Sequence, residues 1–237
     1  MSILKPAALV SAAAVLCLAL ASMAHIDAAE SAESAVAVPA AAGRAQLDSS
    51  APSETVVLAG GCFWGVQGVF QHTQGVLRAV SGYAGGKRDA ASYAAVSAGR
   101  SGHAESVQVT YDPRKISFGQ ILQIYFSVAH DPTQLNRQGP DYGTQYRSAI
   151  FTASDAQKQA AEAYIAQINA AKVFSSPIVT EVAPLQGFYA AEDYHQDYAT
   201  LHPNQPYIAY NDLPKIANLQ KMYPAIYRAD PVLVLKH

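Results

Sequence analysis

The apolar run Thr55–Ala59 ends on two glycines, and apolar positions then recur at helical spacing from Phe63 to Phe70. The pattern predicts a strand, a tight turn and a helix. After a break at Gln71–Gly75, Val76–Tyr83 alternates as a strand does. Ala84–Lys87 reads as a turn and Ser92–Val96 is too short to assign. Ser106–Tyr111 alternates again before Asp112-Pro113 ends it. Ser117 is placed to cap a helix carrying Ile121, Leu122, Ile124, Tyr125 and Val128. Asp131–Gly143 is a polar loop, Arg147–Phe151 a strand, and Ser154 or Asp155 caps a helix from Ala156 to Ala171. Ile178–Val182 predicts a further strand and Glu192–Thr200 a short helix. Past Tyr207 the chain is punctuated by Pro and Asn, and is expected to wrap over the body as an irregular tail.

Closely spaced strands between helices imply an α+β fold. The expectation is a two-layer sandwich, a mixed or antiparallel sheet packed by helices on a ferredoxin-like core, not a doubly wound parallel sheet. Residues 25–53 are rich in Ala, Ser, Glu and Pro and read as a disordered linker. Ordered structure is expected from about Glu54, with one catalytic domain over 54–237.

The chain has 237 residues, half of them hydrophobic, and a formal charge of -2. No basic run stands out, which argues against nucleic acid as a partner. Residues 1–24 have the form of an export signal: Lys5, an apolar core from Ala7 to Leu20, and small residues in Ser22-Met23-Ala24. The core is short for a membrane span, so a retained anchor is the weaker reading. A lipoprotein site at Cys17 is weaker again, because Leu16 stands where a small residue belongs. The expected location is the periplasm, without stable membrane insertion. Cleavage after Ala24 leaves Cys62 as the sole cysteine, so no internal disulfide can form.

Cys62 falls where the glycine turn meets the helix. Unpaired N–H groups and the positive end of the helix dipole favour a thiolate there, and the expectation is an activated nucleophile. Phe63 and Trp64 stand beside it. Candidate helpers are Tyr93, His103, Glu105, Asp141, Tyr146 and His195. Glu105 enters an apolar strand, where desolvation can keep a carboxyl protonated. The 138–146 loop is dense in hydrogen-bonding groups. His103, His130 and His195 lack metal-ligand spacing, so no metal is expected. Three function classes fit these residues: an oxygen-transferring reductase, a cysteine hydrolase pairing Cys62 with a histidine such as His195, and an exported binding module whose Cys62 is a packing residue.

Gly61-Cys62-Phe63-Trp64 resembles the signature of the peptide methionine sulfoxide reductase A family. Further matches are Ser81–Gly86, Gly102-His103-Ala104-Glu105, Tyr111-Asp112-Pro113, His130–Thr133, Gly143–Ser148 and Glu192–Tyr198. The resemblance covers the chain from about residue 55 to about residue 225. The resemblance implies Cys62 as nucleophile, Phe63 and Trp64 as the pocket for the substrate methyl group, and Glu105 as the acid at the sulfoxide oxygen. It implies Tyr93 and Tyr146 as hydrogen-bond donors to that oxygen, Asp141 as an organiser of the site, and selectivity for the S epimer. His195 lies in a matching motif without an implied role. Family members with C-terminal resolving cysteines differ here, since no cysteine follows Cys62. A monomer with no bound cofactor is expected, acting on oxidised proteins and reset by an external thiol, either a thioredoxin-like protein or a small molecule.

Overall fold

A computed structural model describes residues 34–45 and 49–235. The predicted signal lies outside the described residues. The first strand, β1 (Glu54–Ala59), leads through Gly60-Gly61 into α1 (Phe63–Gln71), and β2 (Val76–Ala84) follows. A short helix, α2 (Tyr93–Ser97), fills the stretch that was too short to assign. Next come β3 (Ala104–Tyr111) and α3 (Phe118–Ile124), which starts on a full capping box between Ser117 and Gln120. A π-helical turn, Tyr125–Ala129, continues α3.

Inside the 131–143 loop, β4 (Arg137–Gln138) and β5 (Asp141–Tyr142) form a small hairpin. Then follow β6 (Ala149–Thr152), α4 (Asp155–Ala170) capped by Ser154, β7 (Glu181–Pro184) and β8 (Phe188–Ala190). The last strand was not expected.

The main sheet runs β7-β6-β1-β3-β2-β8. Four of its five neighbouring pairs are antiparallel, and β6 with β7 is parallel. The inner order β6-β1-β3-β2, with α1 between β1 and β2 and α3 between β3 and β6, is the ferredoxin-like arrangement. The parallel edge strand follows a helical crossover through α4, as parallel neighbours require. Alternation along β1 divides the interior. Val56 and Leu58 join the large cluster under the helices, while Val57 and Ala59 face a smaller one with Ala149 and Phe151. Leu58, Phe70 and Phe118 are buried completely or nearly so, each burial contributing roughly 1.5–3 kcal/mol.

Three expectations need correction. The linker reading fails over residues 34–45, which lie packed on α3 and α4. Val38 and Ala45 are buried, Tyr164 donates to the Pro39 carbonyl, and Gln167 bonds both Ala40 and Ala42. Alanine-rich sequence is a poor guide here, because small side chains let the strap lie close to two helices.

The single helix expected over 192–200 is two pieces, a 3-10 turn at Asp193–His195 and α5 (Tyr198–Leu201). Asp197 interrupts it with φ +58°, and its N–H donates to the buried Gln67 side chain. The tail past Tyr207 is also helical, as a π-helical turn Ile208–Asp212 and then α6 (Leu213–Met222). Pro214 misleads there: it occupies the first turn, where a missing N–H costs nothing.

Candidate active site

Gly61 has φ +86°, and a Cβ at that position would lie 2.6 Å from the Gln138 side chain. The turn thus needs glycine both for its conformation and for the close approach of β4. Cys62 caps α1, but no side-chain hydrogen bond is made at that cap. The orphan donor is met from another element: the Phe63 N–H donates to Glu105 Oε2 at 3.1 Å. The carboxyl at the entrance of β3 therefore sits against the first turn of the helix that Cys62 begins.

Glu105 is 3% exposed. Burial pushes its carboxyl up to about 8; the Phe63 N–H opposes this, while the charges of Asp141 and Asp212 add to it. Glu105 is thus mostly protonated at neutral pH.

The sulfur itself departs from the expectation. Burial, then the charges of Glu105 and Asp212, push the Cys62 thiol well above its ordinary value, and Asp141 adds to this. The Trp64 N–H pulls the other way and is outweighed. A helix terminus favours a thiolate, but a desolvated sulfur facing three carboxyl groups rests as the thiol. The rise from Glu105 and Asp212 vanishes when they are neutral, so protonation of the carboxyls and ionisation of the thiol are coupled.

Tyr93 stands at the start of α2, where its N–H donates to Glu192 Oε1 at 3.0 Å. Tyr83, paired with Glu105 across β2 and β3, donates to the other Glu192 oxygen at 2.8 Å. Tyr146 ends the 3-10 turn Thr144–Tyr146. Burial pushes both Tyr93 and Tyr146 phenols up, and both feel the charges of Glu105 and Cys62, so they remain hydrogen-bond donors. Asp141 on β5 accepts a short hydrogen bond from Tyr207. Burial raises its carboxyl, while Tyr207 and Lys215 counter the rise.

Phe63 is buried against Tyr83 and His195, with ring centroids 5.9 and 5.1 Å apart. Trp64 is the half-exposed ring. It stacks on Tyr198 at 3.9 Å, and Tyr207 meets it edge-on at 6.1 Å. The structure thus gathers Cys62, Glu105, Tyr93, Tyr146, Asp141, Phe63 and Trp64 around one chain reversal.

The histidines separate. His103 is a clamp for the 84–87 turn, accepting from the Gly86 N–H and bonding the Lys87 carbonyl. Burial holds His130 at about 3, in a network with Tyr125 and Ser148. His195 accepts from the Trp64 indole N–H at 3.3 Å. Its bond goes to the aromatic wall and not to Cys62, so the hydrolase pairing has no geometric support. Among the described residues no cluster of potential ligands could hold a metal. No helix among them is long and apolar enough to cross a membrane.

Three residues escaped the sequence reading. Tyr207 belonged to the segment read as tail. Asp212 is fully buried, both its oxygens lack a hydrogen bond among the described residues, and burial holds it up to about 7 against the pull of Lys215. It occupies the N-cap position of α6 without capping it. Its carboxyl instead lies against Gly65 of α1, where a Cβ would come within 2.2 Å of Oδ1. Lys215 follows one turn later. The only signal for these residues was an Asp and a Lys in the first turn of an unrecognised helix.

Comparison with known proteins fits this geometry. The family model described as peptide methionine sulfoxide reductase matches residues 54–226. The protein is similar to peptide methionine sulfoxide reductase MsrA 2 of Mesorhizobium japonicum, 62% identical over 79% of this chain and 97% of the relative. It is 49% identical to MsrA 2 of Synechocystis over 72% of this chain and 80% of that protein. Among solved structures, methionine sulfoxide reductase A of Corynebacterium diphtheriae superposes with a TM-score of 0.56 at 38% identity, covering 67% of this chain and 79% of that one. The reduced form of Mxr1 from Saccharomyces cerevisiae gives a TM-score of 0.62 at 33% identity, covering 68% and 91%. Because the matched span carries the thiol, the buried acid and the late tyrosine together, the chain belongs to the peptide methionine sulfoxide reductase family and is an oxidoreductase that reduces methionine sulfoxide.

Proposed function

We propose that Cys62 is the nucleophile and that it takes the oxygen of methionine-S-sulfoxide in oxidised proteins, and in the free amino acid. The observation that carries this reading is the Phe63 N–H bond to Glu105, which fixes a neutral acid at the helix start that Cys62 begins. A sulfoxide has a poor oxide leaving group, so its oxygen must gain a proton before sulfur can be attacked.

Glu105 gives its proton to that oxygen and recovers one from the Cys62 thiol. The charge left on Glu105 between the two transfers draws the thiol proton, which turns the unfavourable coupling into the route of activation. Cys62 Sγ then bonds to the substrate sulfur, the oxygen passes to Cys62 as sulfenic acid, and methionine leaves. Tyr93 and Tyr146 donate to the oxygen throughout. Trp64, Tyr198 and Tyr207 offer the rings against which a methyl thioether packs, with Phe63 behind them. Asp141 holds Tyr207 in place.

Reset requires an external thiol, either a thioredoxin-like protein or a small molecule, since no second cysteine follows in the chain. We also place the mature protein in the periplasm as a monomer. The signal-like residues 1–24 support export, and expression with and without that segment, followed by fractionation, tests it.

The test of the chemistry is an assay on separated sulfoxide epimers, wild type against Cys62→Ser, with and without dithiol. Without thiol, wild type is expected to release one methionine per enzyme from the S epimer and to become reactive to a sulfenic-acid reagent. Cys62→Ser should lose turnover by on the order of 10⁴-fold or more. Continued turnover without thiol would overturn the scheme.

A further inference from the structure

The family match ends at residue 226, but the chain beyond it stays bonded to α1. A helix ends on carbonyls that have no partner within it. Here the tail supplies partners. The Val232 N–H donates to the Gln71 carbonyl at 3.1 Å, and the Arg228 N–H donates to the His72 carbonyl at 2.8 Å. The rings of Tyr227 and His72 lie parallel, with centroids 5.6 Å apart. So anchored, the tail brings two N–H groups to one carboxylate. Val234 donates to both oxygens of Asp197, at 2.9 and 3.1 Å, and Leu235 donates to Oδ2 at 2.9 Å. From the other side, the Gln71 amide donates to Oδ1 at 2.6 Å.

Asp197 is 1% exposed. It stands at the N-cap position of α5, yet its side chain makes no capping bond there. Its φ of +58° is uncommon for a residue with a Cβ, and such a conformation persists where the surroundings fix it. The surroundings are the tail and one face of α1. Trp64, Gln67 and Gln71 share that face, at helical spacing. Each meets the 196–198 turn. Gln71 bonds the Asp197 carboxylate, and Gln67 bonds the Gln196 side chain and accepts from the Asp197 N–H. Trp64 stacks on Tyr198 at 3.9 Å, the rings 11° from parallel. Before the turn, Gln196 is pinned to β2 by the N–H and the carbonyl of Ser81. After it, the placing of Tyr198 depends on the direction in which Asp197 sends the chain.

We propose that Asp197 is a positioning residue for the substrate pocket and that the C-terminal tail is the clamp that holds it. Val234 and Leu235 fix the carboxylate, the carboxylate fixes the left-handed turn, and the turn lays Tyr198 flat against Trp64. The proposal rests on the reading of those two rings as a wall for the methyl thioether. The tail thus sets affinity for the sulfoxide without touching it.

A staple for α1 as a whole would act differently. Loosening the entire helix would move Cys62 and Phe63 together with Trp64, and kcat would fall. A clamp that works through Tyr198 alters the aromatic wall and leaves the Phe63 bond to Glu105 in place.

The experiment uses the full chain carrying Val234→Pro and Leu235→Pro together, which removes the two N–H donors. KM and kcat are measured on N-acetylmethionine-S-sulfoxide with dithiothreitol as reductant. KM is expected to rise roughly 3–10-fold, with kcat within about twofold. The emission of Trp64, the chain's one tryptophan, should change in the resting protein as Tyr198 leaves its face. Asp197→Asn keeps the shape but offers one acceptor fewer, and should shift KM and emission in the same direction. Tyr198→Leu closes the cycle. It should raise KM by itself, and adding the proline pair to it should change KM by less than about twofold, since residues that act through one another are not additive.

Unchanged KM and emission in the proline pair would overturn the proposal. A clear fall in kcat would overturn it as well, and would mark a staple for the whole helix. Full additivity with Tyr198→Leu would do the same. If the proline pair fails to fold, Asp197→Asn takes its place in the cycle. Unchanged KM in Tyr198→Leu alone would be a different failure, that of the aromatic wall in the proposed function.

Discussion

The two sides of Cys62 are built in different ways. On the Glu105 side, the groups come from the start of α1, the start of β3, the start of α2 and a 3-10 turn, and hydrogen bonds between elements fix them. Phe63 bonds Glu105, and Glu192 bridges Tyr83 to Tyr93. On the Lys215 side, Asp212 and Lys215 come from one late stretch and meet loosely. Among the described residues Asp212 has no hydrogen bond at either oxygen, and its ion pair with Lys215 is 4.0 Å long. The first side is arranged to hold one protonation state in one geometry. The second tunes the charge felt by the sulfur. Chemistry that must be aimed is over-determined by bonds, whereas electrostatic tuning needs only burial and proximity.

The hardest blow to this contrast would come from Glu105. Glu105→Gln keeps an acceptor for the Phe63 N–H and a donor for the oxygen, but it cannot transfer a proton. The methionine burst is expected to slow by about 10²–10⁴-fold, with substrate binding changed far less. Equal rates would remove the proposed acid.

The same variant should be more stable than wild type at alkaline pH. The sign follows from the raised folded-state value. The folded protein holds the Glu105 proton up to about pH 8, while the unfolded chain releases it near the ordinary 4.5. The stabilisation is complete below the lower value and is lost as pH rises through the higher one. Thermal melts should show a gain for Glu105→Gln of roughly 2–4 kcal/mol at pH 8.5 and little at pH 4. A gain of the same size at both pH values would mean the carboxyl is not held neutral.

Asp212 tests the other side, with a smaller effect. Asp212→Asn removes one of the charges that hold the Cys62 thiol up. Alkylation of Cys62 by iodoacetamide at pH 8 should become roughly 3–10-fold faster. Asp212 is charged only above about pH 7, so the difference should fade by pH 5.5. A gap independent of pH would assign the change to altered access instead.

These contrasts also explain what could be read from the chain alone. The strand-turn-helix around Cys62 was legible because glycines, apolar runs and a cysteine are neighbours in sequence. Glu105 was legible as a carboxyl entering an apolar strand. The α+β two-layer class followed from the order and spacing of the elements. The resting state of the thiol did not follow, because local logic supplied the helix terminus but not the remote charges of Asp141 and Asp212. α6 was missed because Pro214 looks like a stop. The strap at 34–45 was missed because its partners, Gln123, Tyr164 and Gln167, lie about 80 residues or more along the chain. Motifs report what sits beside a residue in sequence; burial is decided by what arrives later.

The mildest test concerns His195, which has a place in the aromatic wall and no bond to Cys62. Its Nδ1 accepts the Trp64 indole proton, so the other nitrogen carries the ring proton, and that Nε2 is buried without a partner among the described residues. Burial holds the ring below its ordinary value and so neutral, which is the state that can accept. His195→Phe keeps ring contacts with Phe63, Tyr93 and Tyr194 but leaves the indole N–H without its acceptor. If His195 serves to orient Trp64, the variant should raise KM for the sulfoxide by roughly 2–5-fold and leave kcat within about twofold. Tryptophan fluorescence should shift, since Trp64 is the chain's one tryptophan. If His195 instead acts on the sulfur, kcat should collapse and KM stay put, which would move this residue from the wall to the chemistry and erase the division between the aimed side and the tuned side.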